Sequence, residues 1–355
     1  MQNPFTTTFS KMPEQTYITT QEPAEIIENF SYPSPSESVY KITGVRGSGK
    51  TVILARVEEE FSKQENREKG WLVYRLNPSR DLLAQFAAGL HKESFAGDGF
   101  KGKSFNVSAS VLGTGGGFGI SSGEESNFFD VGVEINSMLR KAKENGKKIL
   151  LSIDEVSRTE VMIAFAGEYG SWLRAGYPVY MICSGLYENI QELANVKNLT
   201  FFRRATTIRT EPLSQIRMAE MYRNKLEIGP DTAKELSAAT KGYAYAFQEL
   251  GTLYFRKKEN EDISEILRKL KSELFAYSYE KIWEELSEND RALLKLLSED
   301  KEYKREELLT LMGEKAGGYS VYRDRLVKRG LLNTRQAYIS LALPFFSDYM
   351  RDYCV

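Results

Sequence analysis

Residues 44–51 spell GVRGSGKT, between a strand-like stretch at 38–43 and a helical stretch at 52–57. This is the pattern G-x-x-x-x-G-K-[ST] in the strand–loop–helix setting the motif requires. Few features constrain a fold more, because the loop works only where a strand of an α/β sheet feeds a helix. Glycines let the backbone wrap a phosphate chain, while successive N–H groups and the positive helix end hold the anion. The expected binding loop is Gly44, Arg46, Gly47, Ser48, Gly49, Lys50, Thr51 and Val52. Lys50 would reach the β- and γ-phosphates, and the Thr51 hydroxyl would coordinate Mg²⁺. A glycine-rich turn before a helix also arises for structural reasons alone, but here every fixed position matches. The expected ligand is a nucleotide.

A second motif follows a hundred residues later. Residues 149–153 are short, apolar and flanked by charge, as a fully buried parallel strand should be. Asp154 and Glu155 come where that strand should end, the place where open α/β sheets bind ligands. Asp154 suits the ligand that holds Mg²⁺ through water, and Glu155 suits the base that activates the attacking water. Acidic pairs also cap strands in solvent, and it is the preceding glycine loop that favours the hydrolytic reading.

Residues 178–184 form another apolar strand candidate, ending at Ser184. Its hydroxyl is a candidate for contact with the γ-phosphate or the attacking water; otherwise Ser184 and Gly185 simply turn the chain into a helix at 187–193. Residues 205–209 give the fifth strand, with Arg203 and Arg204 just before it. An arginine there either projects to a neighbouring subunit's γ-phosphate, stabilising transition-state charge, or makes a local salt bridge.

Taken in order, the stretches 44–51, 149–155, 185–189, 201–205 and 240–248, with TEPLS at 210–214, resemble an AAA+ ATPase of the origin-recognition-like, archaeal-type and STAND-related group. The resemblance covers most of residues 1–255. It implies ATP with Mg²⁺, a parallel five-stranded α/β core, a helical lid and a possible homo-oligomer. Relatives also pack an N-terminal lead-in on the adenine, which makes Met12, Pro13 and Ile18 candidates for base contacts, or for a strap over the sheet edge. Two positions depart from the pattern: Ala244 stands where relatives carry proline, and residues 241–250 contain no sensor arginine. Both imply slow turnover.

The remainder divides into an expected core at 1–212, a lid and connector at 213–279 and a C-terminal domain at 280–355. Within the core, residues 100–126 read as an insertion. There 104–111 alternates like a strand, 113–117 is a glycine turn cluster and 118–121 returns. That cluster lacks the lysine and following helix of a second phosphate loop. The lid helices are expected at 237–255 and 263–277, with Tyr243, Tyr245, Phe247 and Leu250 as core.

At the C-terminus, amphipathic helices at 290–297, 305–312 and 320–329 precede two strands within 334–343, an order similar to a winged helix-turn-helix. Lys315, Arg323, Arg325, Lys328, Arg329 and Arg335 outnumber Asp324 between 315 and 335. Arg323, Arg325, Lys328 and Arg329 are the candidates for duplex DNA, although winged helices also bind proteins. The formal net charge of −1 leaves no overall electrostatic footprint for nucleic acid. His91 is the single histidine and Cys183 and Cys354 the only cysteines, which argues against zinc and against histidine catalysis. No signal-peptide pattern and no apolar run of about 18 residues stand out, so a cytoplasmic protein without membrane contact is expected. The expected activity is an ATP-driven switch coupled to DNA. The alternatives are a STAND-like signalling or scaffold ATPase whose C-terminal domain binds protein, and a nucleotide module that seldom hydrolyses.

Overall fold

The computed structural model describes residues 2–8, 12–96, 118–119 and 128–354. Its strands in chain order are β1 (Val39–Thr43), β2 (Trp71–Leu76), β3 (Phe118–Gly119), β4 (Phe128–Phe129), β5 (Lys148–Ile153), β6 (Val179–Gly185), β7 (Thr206–Arg209), β8 (Tyr303–Lys304), β9 (Leu332–Arg335) and β10 (Tyr338–Leu341). The main sheet is the expected five-stranded parallel one, in the order β2-β5-β6-β1-β7. Parallel pairing runs from Trp71 opposite Lys148 to Leu76 opposite Ile153, and from Ile149 opposite Val179 to Ile153 opposite Cys183. Every residue of β1, and all of β5 after Lys148, is buried, so these strands carry apolar residues on both faces.

The chain forms two compact units. One comprises residues 25–41 and 54–207; the other comprises 1–24, 42–53 and 208–355. In the first, the helix Glu160–Arg174 buries Met162, Phe165, Ala166, Tyr169 and Trp172, a helical stripe, and Thr159 caps its start by accepting from the Met162 amide. The helix Val131–Glu144 starts in the same way, with Asp130 accepting from Gly132 and Val133. Lys41 lies buried in β1, donating to the Phe202 carbonyl at 2.8 Å. The expected strand at 104–111 and turn at 113–117 lie outside the described residues, and β3 pairs antiparallel with β4.

The second unit is mainly helical. The expected helix at 237–255 is instead two, Pro230–Ala239 and Ala244–Phe255. The physical reason lies in the intervening turn: Lys241 and Gly242 both have positive φ, and two consecutive left-handed residues cannot continue a right-handed helix. The helix Ile263–Leu274 runs into a π-helical turn, Phe275–Tyr279, and then the helix Glu280–Glu284. Beyond it come helices Glu288–Lys295, Arg305–Met312 and Tyr319–Arg329, and a three-stranded sheet in the order β8-β10-β9. β8 and the final helix Phe346–Tyr353 were not anticipated, each being too short to show a clear period. Among the described residues no helix is long and apolar enough to cross a membrane.

Buried phenols and a buried thiol make stability fall on the alkaline side. Burial pushes Cys183 from 9.0 up to about 12, and Tyr40 and Tyr349 from 10.0 up to about 12. Burial also raises Tyr169, Tyr222 and Tyr279 well above their ordinary value. A group whose folded pKa is raised stabilises fully below its unfolded pKa and loses that contribution as pH climbs towards the folded one. Lys41, lowered by burial, acts in the opposite sense but is a single group. We expect the melting temperature to hold up to about pH 9 and to drop steeply between about 9 and 12. Tyrosinate absorbance should rise together with the loss of far-ultraviolet circular dichroism. Full tyrosinate absorbance in a chain still folded at pH 11 would contradict this.

Candidate functional site

In the mainly helical unit, β1 ends into the loop that contains Gly44 to Gly49, and the helix Lys50–Ser62 starts directly after it. Gly47 and Gly49 take φ of 75° and 95°, values that glycine adopts without strain. At Gly44 a Cβ would overlap the Thr210 hydroxyl, which donates to the Ser48 hydroxyl at 2.9 Å. A close-packed neck thus holds the loop's first residue. The Lys50 ammonium folds back over the loop and donates to the carbonyls of Gly44 and Val45, both at 3.0 Å. Val52 and Ile53 both donate to the Gly49 carbonyl, closing the first helical turn. Thr51 sits half-buried in that turn.

The same loop is gripped from later parts of the unit. Tyr243, only 5 % exposed, donates its hydroxyl to the Arg46 carbonyl at 2.7 Å and pairs with the Ser278 hydroxyl at 2.7 Å. Burial raises the Tyr243 phenol well beyond the ordinary range, so it stays a donor at neutral pH. The Tyr245 amide donates to the Gly47 carbonyl at 3.1 Å. The Arg46 guanidinium lies 3.6 Å from the Glu285 carboxylate, and its Nε is buried without a hydrogen-bond partner. Next to the loop, Arg209 donates to the Val327 carbonyl at 2.9 Å.

The other unit holds the acid pair. Asp154 follows β5 half-buried; Ser184, fully buried in β6, donates its hydroxyl to the Asp154 carboxylate. The Glu155 amide donates to the same carboxylate oxygen at 3.0 Å, and the Val156 amide donates to the Ser184 carbonyl at 2.8 Å. Pinned on both sides, Glu155 is exposed and adopts φ of 55°, unfavourable for a residue with a Cβ. Strained non-glycine backbone survives where its surroundings over-determine it, and it concentrates at functional sites. Among the described residues no group of three or more His, Cys, Asp or Glu could hold a metal. The Asp154 carboxylate, oriented by the Ser184 hydroxyl and the Glu155 amide, suits an ion that takes most of its ligands from phosphate and water, as Mg²⁺ does.

Solved structures share this architecture. A Walker-type ATPase of Pyrococcus abyssi superposes with a TM-score of 0.59 at 13% identity, covering 93% of this chain and 95% of that one. The ORC2 protein of Aeropyrum pernix, in ADPNP–ADP complexes, gives 0.57 at 12% identity, over 98% and 96% of the two chains. Its ADP form gives 0.52 at 13% identity, over 98% and 97%. The fold is that of archaeal ORC-type AAA+ ATPases. No curated protein matches the sequence. Residues 276–350 match a family described as "Domain of unknown function (DUF8462)", a segment that includes Ser278, Glu285 and Val327.

Arg203 and Arg204 end the short helix Thr200–Arg204, both exposed. Ile18 and Pro13 are buried, Ile18 in the same apolar cluster as Tyr222 and Phe247, and Met12 is half-buried. Thr16 beside them donates to the Gln248 side chain at 3.0 Å. Of the four cations expected at DNA, Arg325 makes two bonds to Asp290, which is 1 % exposed, and a third to Ser287. Arg323 pairs with Asp324, Arg329 donates to the Glu285 carbonyl at 3.0 Å, and Lys328 also has a partner. Counting charge along the sequence missed Asp290, which lies 35 residues before Arg325. Tyr243 is core as expected, and its hydroxyl also reaches the Arg46 carbonyl, a contact that a stripe of aromatics does not signal.

Proposed function

We propose that the chain is a Mg²⁺-dependent ATP hydrolase that works as a nucleotide-driven switch, with a core at 1–212, a lid at 213–279 and a C-terminal output domain at 280–355. ATP supplies the phosphoanhydride and Mg²⁺ the charge neutralisation. The loop amides and Lys50 bind the phosphates; Thr51 and Asp154 hold the ion, and Ser184 keeps the Asp154 carboxylate turned for that task. Glu155 takes the proton of the attacking water. Arg203 or Arg204, exposed at a helix end, would serve a neighbouring copy in a homo-oligomer.

The observation that carries the switch is the contact between the phosphate loop and the C-terminal segment. Glu285 pairs with Arg46, and Val327 is held by Arg209. Any movement of the loop on binding phosphate changes what these residues meet, so nucleotide state biases the position of the segment.

The output is read as duplex DNA because helix, strand, two helices and two further strands follow one another in winged-helix order. Arg325 and Arg329, being tied within the chain, contribute to that surface only if the segment rearranges. The alternative output is a protein partner, as in a STAND-like scaffold.

The test is ATP turnover by the purified chain with and without duplex DNA over a salt series. The expected result is Mg²⁺-dependent turnover that DNA stimulates at low salt, the stimulation fading with a log–log slope of about −0.9 per phosphate contact. Turnover indifferent to DNA, with no DNA bound, would assign the output to protein. Absence of turnover together with tight ATP binding would leave a nucleotide-gated scaffold.

A further inference from the structure

We propose that Tyr243 is a positioning residue for nucleotide phosphate: its hydroxyl fixes the Arg46–Gly47 peptide in the orientation that binds an anion. The inference rests on the reading of residues 44–51 as the phosphate loop and adds a lid residue to it.

The argument begins with proton inventory. A tyrosine hydroxyl has one proton, and here it goes to the Arg46 carbonyl at 2.7 Å. The second contact, to Ser278 at 2.7 Å, must then run from the Ser278 hydroxyl to the phenolic oxygen. The result is a directed chain from Ser278 through Tyr243 to the Arg46 carbonyl. Ser278 is 2 % exposed and Tyr243 5 %, so water does not compete for either hydroxyl.

Peptide geometry converts this bond into an effect on ligand. No peptide bond among the described residues is cis, and in a planar trans peptide the N–H points opposite to the C=O. With the Arg46 carbonyl drawn towards Tyr243, the Gly47 N–H is directed away from it, on the other side of the loop. The neighbouring bond from the Tyr245 amide to the Gly47 carbonyl restrains the next peptide as well. Two consecutive carbonyls of the loop are thus held from the start of the helix Ala244–Phe255.

This contact leaves no space beyond a hydrogen at residue 47. A Cβ on Gly47 would come within 2.5 Å of the Tyr243 oxygen and 2.9 Å of the Tyr245 Cβ. Residues 241–250 contain no arginine that could reach a phosphate directly. This part of the lid therefore acts on phosphate through the backbone of the loop, by way of Tyr243 and Tyr245. Ser278 lies in the π-helical turn Phe275–Tyr279, an irregularity often found at functional positions, and it sets the direction of the chain of hydroxyls.

Binding of ATP and of ADP is measured by calorimetry for the full chain and for Tyr243→Phe, Ser278→Ala, the double variant and Lys50→Ala, alongside steady-state turnover. Tyr243→Phe removes one oxygen and is expected to weaken ATP and ADP equally, by about 5-fold, the equivalent of one neutral hydrogen bond. KM should rise in parallel while kcat stays within about 2-fold. Ser278→Ala should weaken binding in the tyrosine background and add nothing in the phenylalanine background, because it acts through the phenol. Should Tyr243→Phe fail to fold, Ser278→Ala, which leaves the ring in place, decides the matter by the same measurements. A merely structural role would lower the melting temperature of the free protein and leave both dissociation constants unchanged. That result, in a chain whose ATP binding still depends on Lys50, overturns the inference alone. Binding that does not depend on Lys50 overturns the phosphate-loop reading and the inference with it.

Discussion

Lys50→Ala is expected to weaken ATP binding by at least about 100-fold while leaving the fold intact. The ammonium is the one full positive charge offered from within the glycine loop other than Arg46, which is turned towards Glu285. In the structure Lys50 already lies over the loop, bonded to the carbonyls of Gly44 and Val45. It exchanges two neutral acceptors for two charged phosphate oxygens when the ligand binds. Hydrogen bonds to charged groups contribute about 1.5–3 kcal/mol each, so losing two accounts for about 3 kcal/mol or more. A loss of that size is a factor of 100 or greater in Kd. The fold should survive because alanine is the better helix former at the first residue of Lys50–Ser62, and the Val45 carbonyl keeps the Ser48 amide as a donor. Calorimetric titration with ATP, together with a thermal melt of the free variant, checks both parts. Affinity within about 3-fold of the parent would remove Lys50 from the phosphate site.

The parts of this molecule that were legible in its sequence are those written in local pattern. The loop at 44–51 needs glycines at fixed spacings because their positive φ values and missing Cβ atoms are local requirements, and Gly47 and Gly49 meet them. The buried strand β5 is legible because a strand covered on both faces is mostly apolar, as Ile149, Leu150, Leu151 and Ile153 are. Contacts between distant segments were not legible. The place of Ser184 at a strand end gives no sign that its hydroxyl bonds Asp154, 30 residues away. Tyr243 meets Arg46 across 197 residues, and Arg325 meets Asp290 across 35. Nothing in periodicity reports which carbonyl or carboxylate a polar tip will find once the chain has closed. Helix breaks lay between these extremes. The turn at Lys241 and Gly242 was marked by its glycine, but the apolar residues on either side kept the helical period and hid it.

Glu155→Gln is expected to reduce ATP hydrolysis by about 100-fold or more and to leave ATP affinity within about 3-fold of the parent. Glutamine keeps the volume of the side chain and its reach but cannot accept a proton from water, so the substitution isolates that one step. The backbone offers no alternative explanation for a loss. Glu155 holds φ of 55°, and glutamine meets the same steric cost there as glutamate. The conformation is imposed by the Glu155 amide bonded to Asp154 and by the Val156 amide bonded to the Ser184 carbonyl, neither of which uses the Glu155 side chain. Glu155→Gly provides the complementary measurement. It removes the Cβ that makes this backbone unfavourable, and should stabilise the free protein by about 1 kcal/mol while abolishing turnover equally. A more stable but inactive variant would mean that the left-handed backbone is maintained at a cost to stability because the carboxylate must stand at that point. Turnover of Glu155→Gln within about 3-fold of the parent would exclude Glu155 as the base. The strained backbone would then serve only to orient Asp154, whose carboxylate receives both the Ser184 hydroxyl and the Glu155 amide.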